Sequence, residues 1–364
     1  MPHRLIARSA LGLFMLLGAA QAAPVRVLIW QMCGTSGYIH AAINSGSPRL
    51  AAILKNPAAA NLGAGLVIPP EGFTVDILGA AAGANGTTED GRALITALAT
   101  HDVLILNNNT ALGNLFSTAD RAVFLNWISK HGVLGFHGAA DSHKVWPSWD
   151  SATGGLFTTH GVAVAKVILD STPASVSDPS FAQINAGVPK SASFNEEWYS
   201  YQTNPRNAPG VKVAATLDEA SYTPTSRMGD HPISWYRENE AGGRFFYSGI
   251  GHMQEIFLEN QWFRRQAYNA VAWAARITPT TSTISLEGPV RGADAKVSRT
   301  AITVAFPDGG RRTVELADLH GRRIARETGI QAGSHVFQGL RPHSLYVLAV
   351  STKDGISRRL IATQ

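Results

Sequence analysis

The sequence has a single cysteine, Cys33, among its 364 residues. One thiol cannot form a disulfide within the chain, and we expect it to be a small buried side chain rather than a nucleophile. After the first 22 residues there is no run of about 18 apolar residues, so no transmembrane helix is predicted. The glycine pairs lack a P-loop lysine and a G-x-G-x-x-G pattern, so we expect turns there rather than phosphate-binding loops.

Clustered positive charge is also lacking in most of the chain. From Thr283 onward there are 12 basic and 7 acidic residues, whereas residues 23–282 contain 17 and 19, a balance of +5 against −2. Because phosphate binding needs clustered Lys and Arg, we expect no nucleic-acid partner for the main part. The arginine pairs of the tail are scattered along β-like runs, which is typical of a solvated face.

The first 22 residues have the features of a secretory signal peptide. Arg4 and Arg8 flank the start of an apolar run at 11–17, and the sequence AQA at 20–22 is an A-x-A cleavage site. We predict a signal peptide over residues 1–22, no transmembrane segment after its removal, and a periplasmic or extracellular location. A buried helix or a membrane anchor is the alternative.

Strand-like and helix-like patterns alternate over residues 23–277. Apolar runs occur at 25–30, 73–78, 102–106 and 133–136, with helical patterns at 89–100 and 117–129. This alternation predicts βαβ units, and therefore an α/β domain with a parallel, flavodoxin-like sheet. Residues 278–283 are the predicted linker. From residue 284 to 364 the apolar period becomes two, which predicts a small all-β sandwich.

The sequence GVLGFHGAADSHKVWPSWDSATGGLFTTH, at 132–160, concentrates polar and aromatic residues typical of sites. An apolar run ends at His137, and the small residues after it permit a sharp turn into a helix. Ligands of open α/β sheets bind at the carboxyl ends of the strands, so His137 and Asp141 are predicted to face the site. The alternative is an ordinary strand–helix junction with a structural histidine.

Short motifs spread over residues 25–276 carry a family resemblance. They are GYIH at 37–40, LILNNNT at 104–110, LGFHGAAD at 134–141, WPSW at 146–149, GGLFTTH at 154–160, EEWY at 196–199, NPR at 204–206, DEASY at 218–222, DHPISW at 230–235 and GRFFYSGIGH at 243–252. In this order they resemble the ThuA-like, trehalose-utilisation family, which shares the class I glutamine amidotransferase-like fold. SHK at 142–144 and Glu196 depart from the family pattern. The resemblance implies a link to disaccharide or keto-sugar metabolism.

The same resemblance argues against one chemistry. Amidotransferases of this fold carry a cysteine nucleophile in a G-x-C-x-G elbow, and the matching elbow at 135–139 has His137 in that position. Thiolate chemistry of that kind is therefore not expected. His252 and Glu255 fall where the fold places its histidine and glutamate partner, and without a thiol they would need another task.

Histidines and carboxylates supply the catalytic candidates, which are His137, Asp141, His160, Glu197 and His252. Two chemistries fit them. Histidines with a carboxylate can hold zinc or a similar divalent metal with one position open. Without a metal, the same groups can act as general acid and base. The sequence leaves both open, and any single histidine could instead be structural.

Aromatic residues and two further histidines are the predicted substrate-binding group, which consists of His40, Trp146, Trp149, Tyr199, His231 and Trp235. Aromatic faces stack on the apolar C–H faces of sugars, so the predicted ligand is a small carbohydrate. Core packing is the alternative for each ring. It is the preferred interpretation for Trp127, Trp262 and Trp273, which lie in helical patterns.

The tail resembles the immunoglobulin-like C-terminal domains of secreted bacterial proteins, some of which attach to the cell surface or direct secretion. An accessory sandwich is the alternative. For the whole chain we predict a secreted carbohydrate-active enzyme of hydrolase or lyase type, acting on a sugar, glycoside or keto-sugar derivative. The rivals are a carbohydrate-binding protein without catalysis and an amidotransferase-fold remnant that serves assembly.

Overall fold

The structure is a computed structural model. It describes residues 23–63, 65–69, 71–141, 146–277, 294–298, 301–306, 310–318, 323–341, 344–353 and 355–363. The predicted signal peptide, the predicted linker at 278–283 and the SHK segment lie outside these ranges. Of the helices in these ranges, none has both the length and the apolar character needed to cross a membrane.

The described part of residues 23–277 contains both predicted element types. Its strands are β1 (Val25–Trp30), β2 (Met32–Cys33), β3 (Phe73–Leu78), β4 (Ala84–Asn85), β5 (Val103–Asn107), β6 (Gly132–Phe136), β7 (Phe157–Leu169), β8 (Ser191–Tyr201), β9 (Lys212–Asp218), β10 (Pro232–Glu238) and β11 (Arg244–Ser248). Its α-helices are α1 (Ala42–Lys55), α2 (Thr88–Leu98), α3 (Thr118–Ile128), α4 (Pro147–Thr153), α5 (Pro173–Val176), α6 (Pro179–Ile184), α7 (Gln254–Leu258) and α8 (Gln261–Ala274). The four strands and the two helices named from the sequence are therefore confirmed, with ends shifted by one or two residues.

Nine of these strands form one mixed sheet in the order β3-β1-β5-β6-β11-β10-β9-β7-β8. The first five are parallel, which confirms the predicted parallel sheet for this half. The last four pair in antiparallel fashion, and β7 and β8 form a long hairpin. The short helices α5 and α6 lie between β7 and β8, but these strands pair antiparallel and so form no βαβ unit, and the expected parallel arrangement does not extend to this half.

Both faces of the sheet are covered, as a parallel sheet requires. Alternate residues of β1 show this, because Val27 and Ile29 pack into one apolar cluster while Leu28 and Trp30 pack into another. The first cluster includes residues of α1 and α8, and the second includes residues of α2 and α3. The sheet is therefore the central layer of an α/β domain.

The helix start at residue 117 shows how local chemistry sets these boundaries. The hydroxyl of Ser117 accepts a hydrogen bond of 3.2 Å from the backbone N–H of Asp120, which satisfies a donor that the first turn of α3 would otherwise leave free. The strand β6 begins four residues after α3 ends. The cap sets the start of α3, and pairing with β5 and β11 sets the register of β6, which leads to His137.

The tail is all-β, as its period of two predicted. Its described strands are β12 (Asp294–Val297), β13 (Ile302–Phe306), β14 (Arg312–Asp318), β15 (Arg323–Ile330), β16 (Gly333–Phe337), β17 (Leu345–Thr352) and β18 (Gly355–Ala362). They form antiparallel sheets in the orders β12-β13-β16 and β15-β14-β17-β18. An apolar cluster of its own, which includes Val304, Leu316 and Leu348, holds the tail together.

Candidate functional site

His137 lies at the carboxyl end of β6 in the strained turn that an elbow requires. Its φ is +42°, a region that non-glycine residues rarely adopt, and it begins a 3-10 helix that ends at Asp141. The ring Nδ1 lies 2.9 Å from the carbonyl oxygen of Gly249, and the hydroxyl of Tyr247 donates to the carbonyl oxygen of His137 over 2.8 Å. These bonds hold the fully buried ring in one orientation.

Three histidines surround the carboxylate of Glu197, which lies on β8. One oxygen, Oε2, is 3.1 Å from His137 Nε2 and 3.1 Å from His252 Nδ1. The other oxygen, Oε1, is 2.8 Å from Nδ1 of His160, whose side chain is 49% exposed. His137 Nε2 and His252 Nδ1 are 3.2 Å apart. Four of the five catalytic candidates therefore meet at one carboxylate, and solvent reaches the group from the side of His160.

His40, predicted as a substrate-binding residue, is part of the same group. Its ring lies edge-on to those of His137 and His252, with centroid distances of 4.9 and 5.3 Å. One nitrogen from each of these three histidines and one oxygen of Glu197 all lie within 4.8 Å of one another. The Nδ1 atom of His40 is buried and has no hydrogen-bond partner among the described residues.

The environment separates the protonation states of these groups. Burial, together with the nearby His137 and His252, lowers the pKa of His40 to about 2. Burial also lowers the pKa of His137. The contact with Glu197 raises the pKa of His252. Burial alone would raise the pKa of Glu197, but its contacts with His137 and His252 hold that pKa well below its usual value. His40 and His137 are therefore neutral beside an ionised carboxylate.

The tautomer of His137 leaves two acceptors facing each other. A carbonyl oxygen can only accept, so the Nδ1 of His137 that contacts Gly249 carries the ring proton. The Nε2 of the neutral ring is then a lone pair, and it lies 3.1 Å from Oε2 of Glu197. Two acceptors at this distance need a cation between them, which can be a proton or a metal ion.

The donor atoms suit a divalent metal. Imidazole nitrogens and a carboxylate are ligands that zinc takes, and bonds of 2.0–2.2 Å in tetrahedral geometry place ligand atoms roughly 3.4 Å apart. The atoms Nε2 of His137, Oε2 of Glu197 and Nδ1 of His252 are separated by 3.1 to 3.2 Å. One ring nitrogen of His40 lies within 4.8 Å of these atoms and offers a fourth ligand. These residues fit zinc or a similar ion.

Glu196 was not among the candidates, yet it holds the turn that carries His252. Its fully buried carboxylate accepts four backbone hydrogen bonds of 2.8–3.2 Å, from Glu197, Gly251, His252 and Met253. Burial raises its pKa to about 7, whereas the four N–H groups favour its ionised form. The available sequence signal was the pair of adjacent carboxylates in EEWY. Both glutamates lie in β8, and both are buried.

The three tryptophans predicted at the substrate rim lie in the core instead. Trp149 and Trp235 have no exposed surface, and Trp146 is 4% exposed. Trp146 and Trp149 pack with Phe124, and Trp235 donates through Nε1 to the carbonyl oxygen of Thr153 over 2.7 Å. Their aromatic faces are thus covered by protein, because the second apolar cluster fills this face of the sheet.

The remaining candidates support the group without joining it. Tyr199 is buried, with its ring centroid 4.0 Å from that of His137. His231 is buried and contacts a Glu219 oxygen and the Tyr199 carbonyl oxygen, each at 2.9 Å, so it connects neighbouring chain segments. Asp141 ends the 3-10 helix that His137 begins, and its carbonyl oxygen accepts from Ala111.

Two further residues of the sequence analysis are Glu255 and Cys33. Glu255 is exposed on α7, and His252 contacts Glu197 of β8 instead of Glu255. Cys33 is fully buried, as expected, and burial raises the pKa of its thiol, which disfavours the thiolate form.

Tyr38 is the exposed aromatic ring beside the histidines, and the sequence reasoning missed it. It is 64% exposed, and its ring centroid is 4.7 Å from that of His40 in an edge-on contact. It stands in the GYIH motif, two residues before His40. The closeness of Tyr38 to His40 in the sequence was the available signal. The predicted tryptophans are also close to histidines in the sequence, so this signal did not single out Tyr38.

The fold and the site together define an α/β protein with a mixed sheet and a histidine in the strained turn after β6. The chain belongs to the ThuA family, described as trehalose utilisation, whose family model matches residues 26–274. No curated protein matches the chain.

Among solved structures, a ThuA-like protein from Parabacteroides merdae is similar in fold. It is 13% identical, the match covers 72% of this chain and 93% of that one, and the TM-score is 0.51. The FN5 domain of Drosophila Lar, which is 18% identical, matches over 20% of this chain and 89% of its own length. Its TM-score is 0.16, which is too low to indicate a shared fold.

Glu196→Gln is expected to weaken binding of a divalent ion at the histidine group by about 10- to 100-fold, the usual range for groups that orient metal ligands. The amide would place N–H donors against backbone N–H groups that now meet a carboxylate, and the turn carrying His252 would shift. Titration of the metal-free protein with zinc measures this. Glu255→Gln, an exposed change three residues beyond His252, is the control. Equal affinities for the two variants would contradict the role given to Glu196.

Acidification is expected to destabilise the metal-free protein through His40. In the folded state its pKa is lowered to about 2, so below its ordinary value near 6.5 only the unfolded state takes up the proton. The free energy of unfolding therefore falls as pH decreases, by up to about 1.4 kcal/mol per pH unit for one group. His137 acts in the same direction.

Urea unfolding of chelator-treated protein between about pH 7 and about pH 5 measures this slope. His40→Gln should make the slope shallower, whereas His335→Gln in the tail should not. An unchanged slope in the His40 variant would show that His40 is protonated in the folded state.

Proposed function

We propose that this protein is a metal-dependent enzyme that acts on a sugar, glycoside or keto-sugar derivative by hydrolysis or elimination. His137, Glu197 and His252 would hold a divalent ion such as zinc, with His40 as a further ligand. The facing acceptors on His137 and Glu197, 3.1 Å apart, carry this proposal. A bound divalent ion supplies Lewis acidity toward a hydroxyl or carbonyl oxygen of the ligand.

His160 is the proposed proton-transfer group. Its Nδ1 is held by Oε1 of Glu197, and its side chain is half exposed on the open side of the group. Imidazole both accepts and donates protons near neutral pH, and a carboxylate that orients the ring is the usual arrangement for such a role. Asp141, at the end of the elbow helix, is proposed to keep His137 in place.

Two observations support a sugar as the ligand. The family is described as trehalose utilisation. Tyr38 presents an exposed ring next to His40, where the apolar face of a sugar could stack while its hydroxyls point to the histidine group. Tyr38 thus takes the role that the sequence assigned to three tryptophans.

Purified protein is expected to contain one divalent ion per chain, and His137→Ala and Glu197→Gln should each lose it together with turnover of glycosides or keto-sugars. His137→Ala removes a nitrogen ligand, and Glu197→Gln removes the negative charge and replaces one carboxylate oxygen by an NH2 group, which is a poor ligand. Metal analysis and a substrate screen on the same samples measure the two effects. His335→Gln in the tail is the matched control. Turnover that survives in the metal-free variants would favour acid–base chemistry without a metal.

A carbohydrate-binding protein without catalysis is the second candidate, and the exposure of Tyr38 favours it equally. Tyr38→Ala should weaken sugar binding at least 5-fold in either case, because stacking is lost, with little change in stability for so exposed a ring. Turnover separates the candidates. If sugar binds, but no glycoside or keto-sugar is converted by the metal-loaded protein, the binding function stands and the enzyme proposal is wrong.

We also propose that the chain is exported and that its tail contacts the cell surface or the secretion machinery. The charged and apolar pattern of residues 1–22 supports export, and the β-sheets of the tail are of the kind that such modules use. Cell fractionation tests the proposal, and full-length protein confined to the cytoplasm would overturn it.

A further inference from the structure

A second cavity, of about 200 Å³, lies at the other end of the parallel strands from the histidine group. Its wall includes Gly243, which directly precedes β11, and Ser129, which follows α3 ahead of β6. His137 and His252 instead follow the carboxyl ends of β6 and β11. A strand of five residues is roughly 16 Å long, so the two sites are separated by about that length.

Hydrogen-bond donors and apolar groups share the cavity wall. Arg237, Asn239, Ser148 and Ser151 supply the polar part, while Ile128 and Phe245 contribute to the apolar part. None of the described residues that line the cavity is Asp or Glu, so the formal charge that they carry is the positive charge of Arg237. Such a wall favours a ligand with an anionic end and a less polar body.

Arg237 lacks the counter-charge that its neighbours have. Arg244 and Arg276 both form ion pairs with Glu238, at 3.0 and 3.2 Å. Arg237 is half-buried and donates to the carbonyl oxygen of Ser151 over 2.6 Å, but within the described part of the chain it has no ion pair with a carboxylate. Burial lowers its pKa, because desolvation disfavours the charged guanidinium.

We propose that this cavity binds a small organic anion whose carboxylate or phosphate group pairs with Arg237 and whose body lies against Ile128 and Phe245. The planar guanidinium matches both oxyanions through two parallel hydrogen bonds. The volume is below the ~300 Å³ typical of pockets for drug-sized ligands, which limits the ligand to the size of a monosaccharide acid or phosphate. The site does not depend on the function proposed for the histidine group.

Thermal unfolding of the full chain tests the proposal with four probes, namely inorganic phosphate, gluconate, glucose 6-phosphate and neutral glucose. We expect a saturable rise in Tm with at least one of the three anions, and a rise with glucose, if it binds at the histidine group, should be unaffected by changes to the cavity wall. A response to phosphate and glucose 6-phosphate identifies a phosphate site, and a response to gluconate alone identifies a carboxylate site. If no anion raises the Tm in a saturable way, the proposal is wrong.

Arg237→Gln should weaken the apparent affinity for the responding anion at least 10-fold, whereas Arg276→Gln, which removes the same charge outside the cavity wall, should leave it unchanged. If Arg237→Gln does not fold, Ser148→Asp tests whether the anion binds in the cavity. It places a carboxylate at the cavity wall and should abolish the response, while Ser177→Asp, an exposed change elsewhere, should not. An anion response that persists in both cavity variants would overturn the proposal.

Discussion

The contact between Glu197 and His137 requires the two halves of the sheet to curl toward each other. Their strands, β8 and β6, are separated in the sheet by β11, β10, β9 and β7. In a flat sheet with strands about 4.8 Å apart they would lie roughly 24 Å from each other, yet the two side chains are 3.1 Å apart. The antiparallel half therefore curls back over the carboxyl ends of the parallel strands. Register shifts between β9 and β10 and between β7 and β8 are the kind of irregularity that increases such twist.

This curl buries charge, and the structure compensates the burial with hydrogen bonds. Glu197 is surrounded by three histidines, and its neighbour Glu196 accepts four backbone N–H groups. On the opposite side of the group, the amide of Asn108 donates to the carbonyl oxygen of Gly251 over 2.9 Å. Glu196 and Asn108 thus hold the turn that carries His252 from two directions. A group held in this way can keep its ligand atoms about 3 Å apart, which a flexible loop could not do.

Local sequence patterns were sufficient to predict that His137 and His252 meet, but not which other side chains contact them. His137 and His252 each follow an apolar strand, and the rule that parallel strands present their ends to one edge was enough to bring them together. Glu197 was chosen from a motif, and its contact with His137 depends on the curl, which no local pattern encodes. The prediction of a tryptophan rim was wrong for a related reason. A tryptophan beside a loop has the same sequence signature whether its ring faces solvent or the core, and here the three rings pack into the second apolar cluster.

The antiparallel half contributes to both ends of the domain, and this links the two sites. Its hairpin β7–β8 brings His160 and Glu197 to the carboxyl ends of the parallel strands, and β10 brings Arg237 to their amino ends. β10 pairs directly with β11, which leads to His252, so the cavity and the histidine group are built on the two ends of the same strand pair.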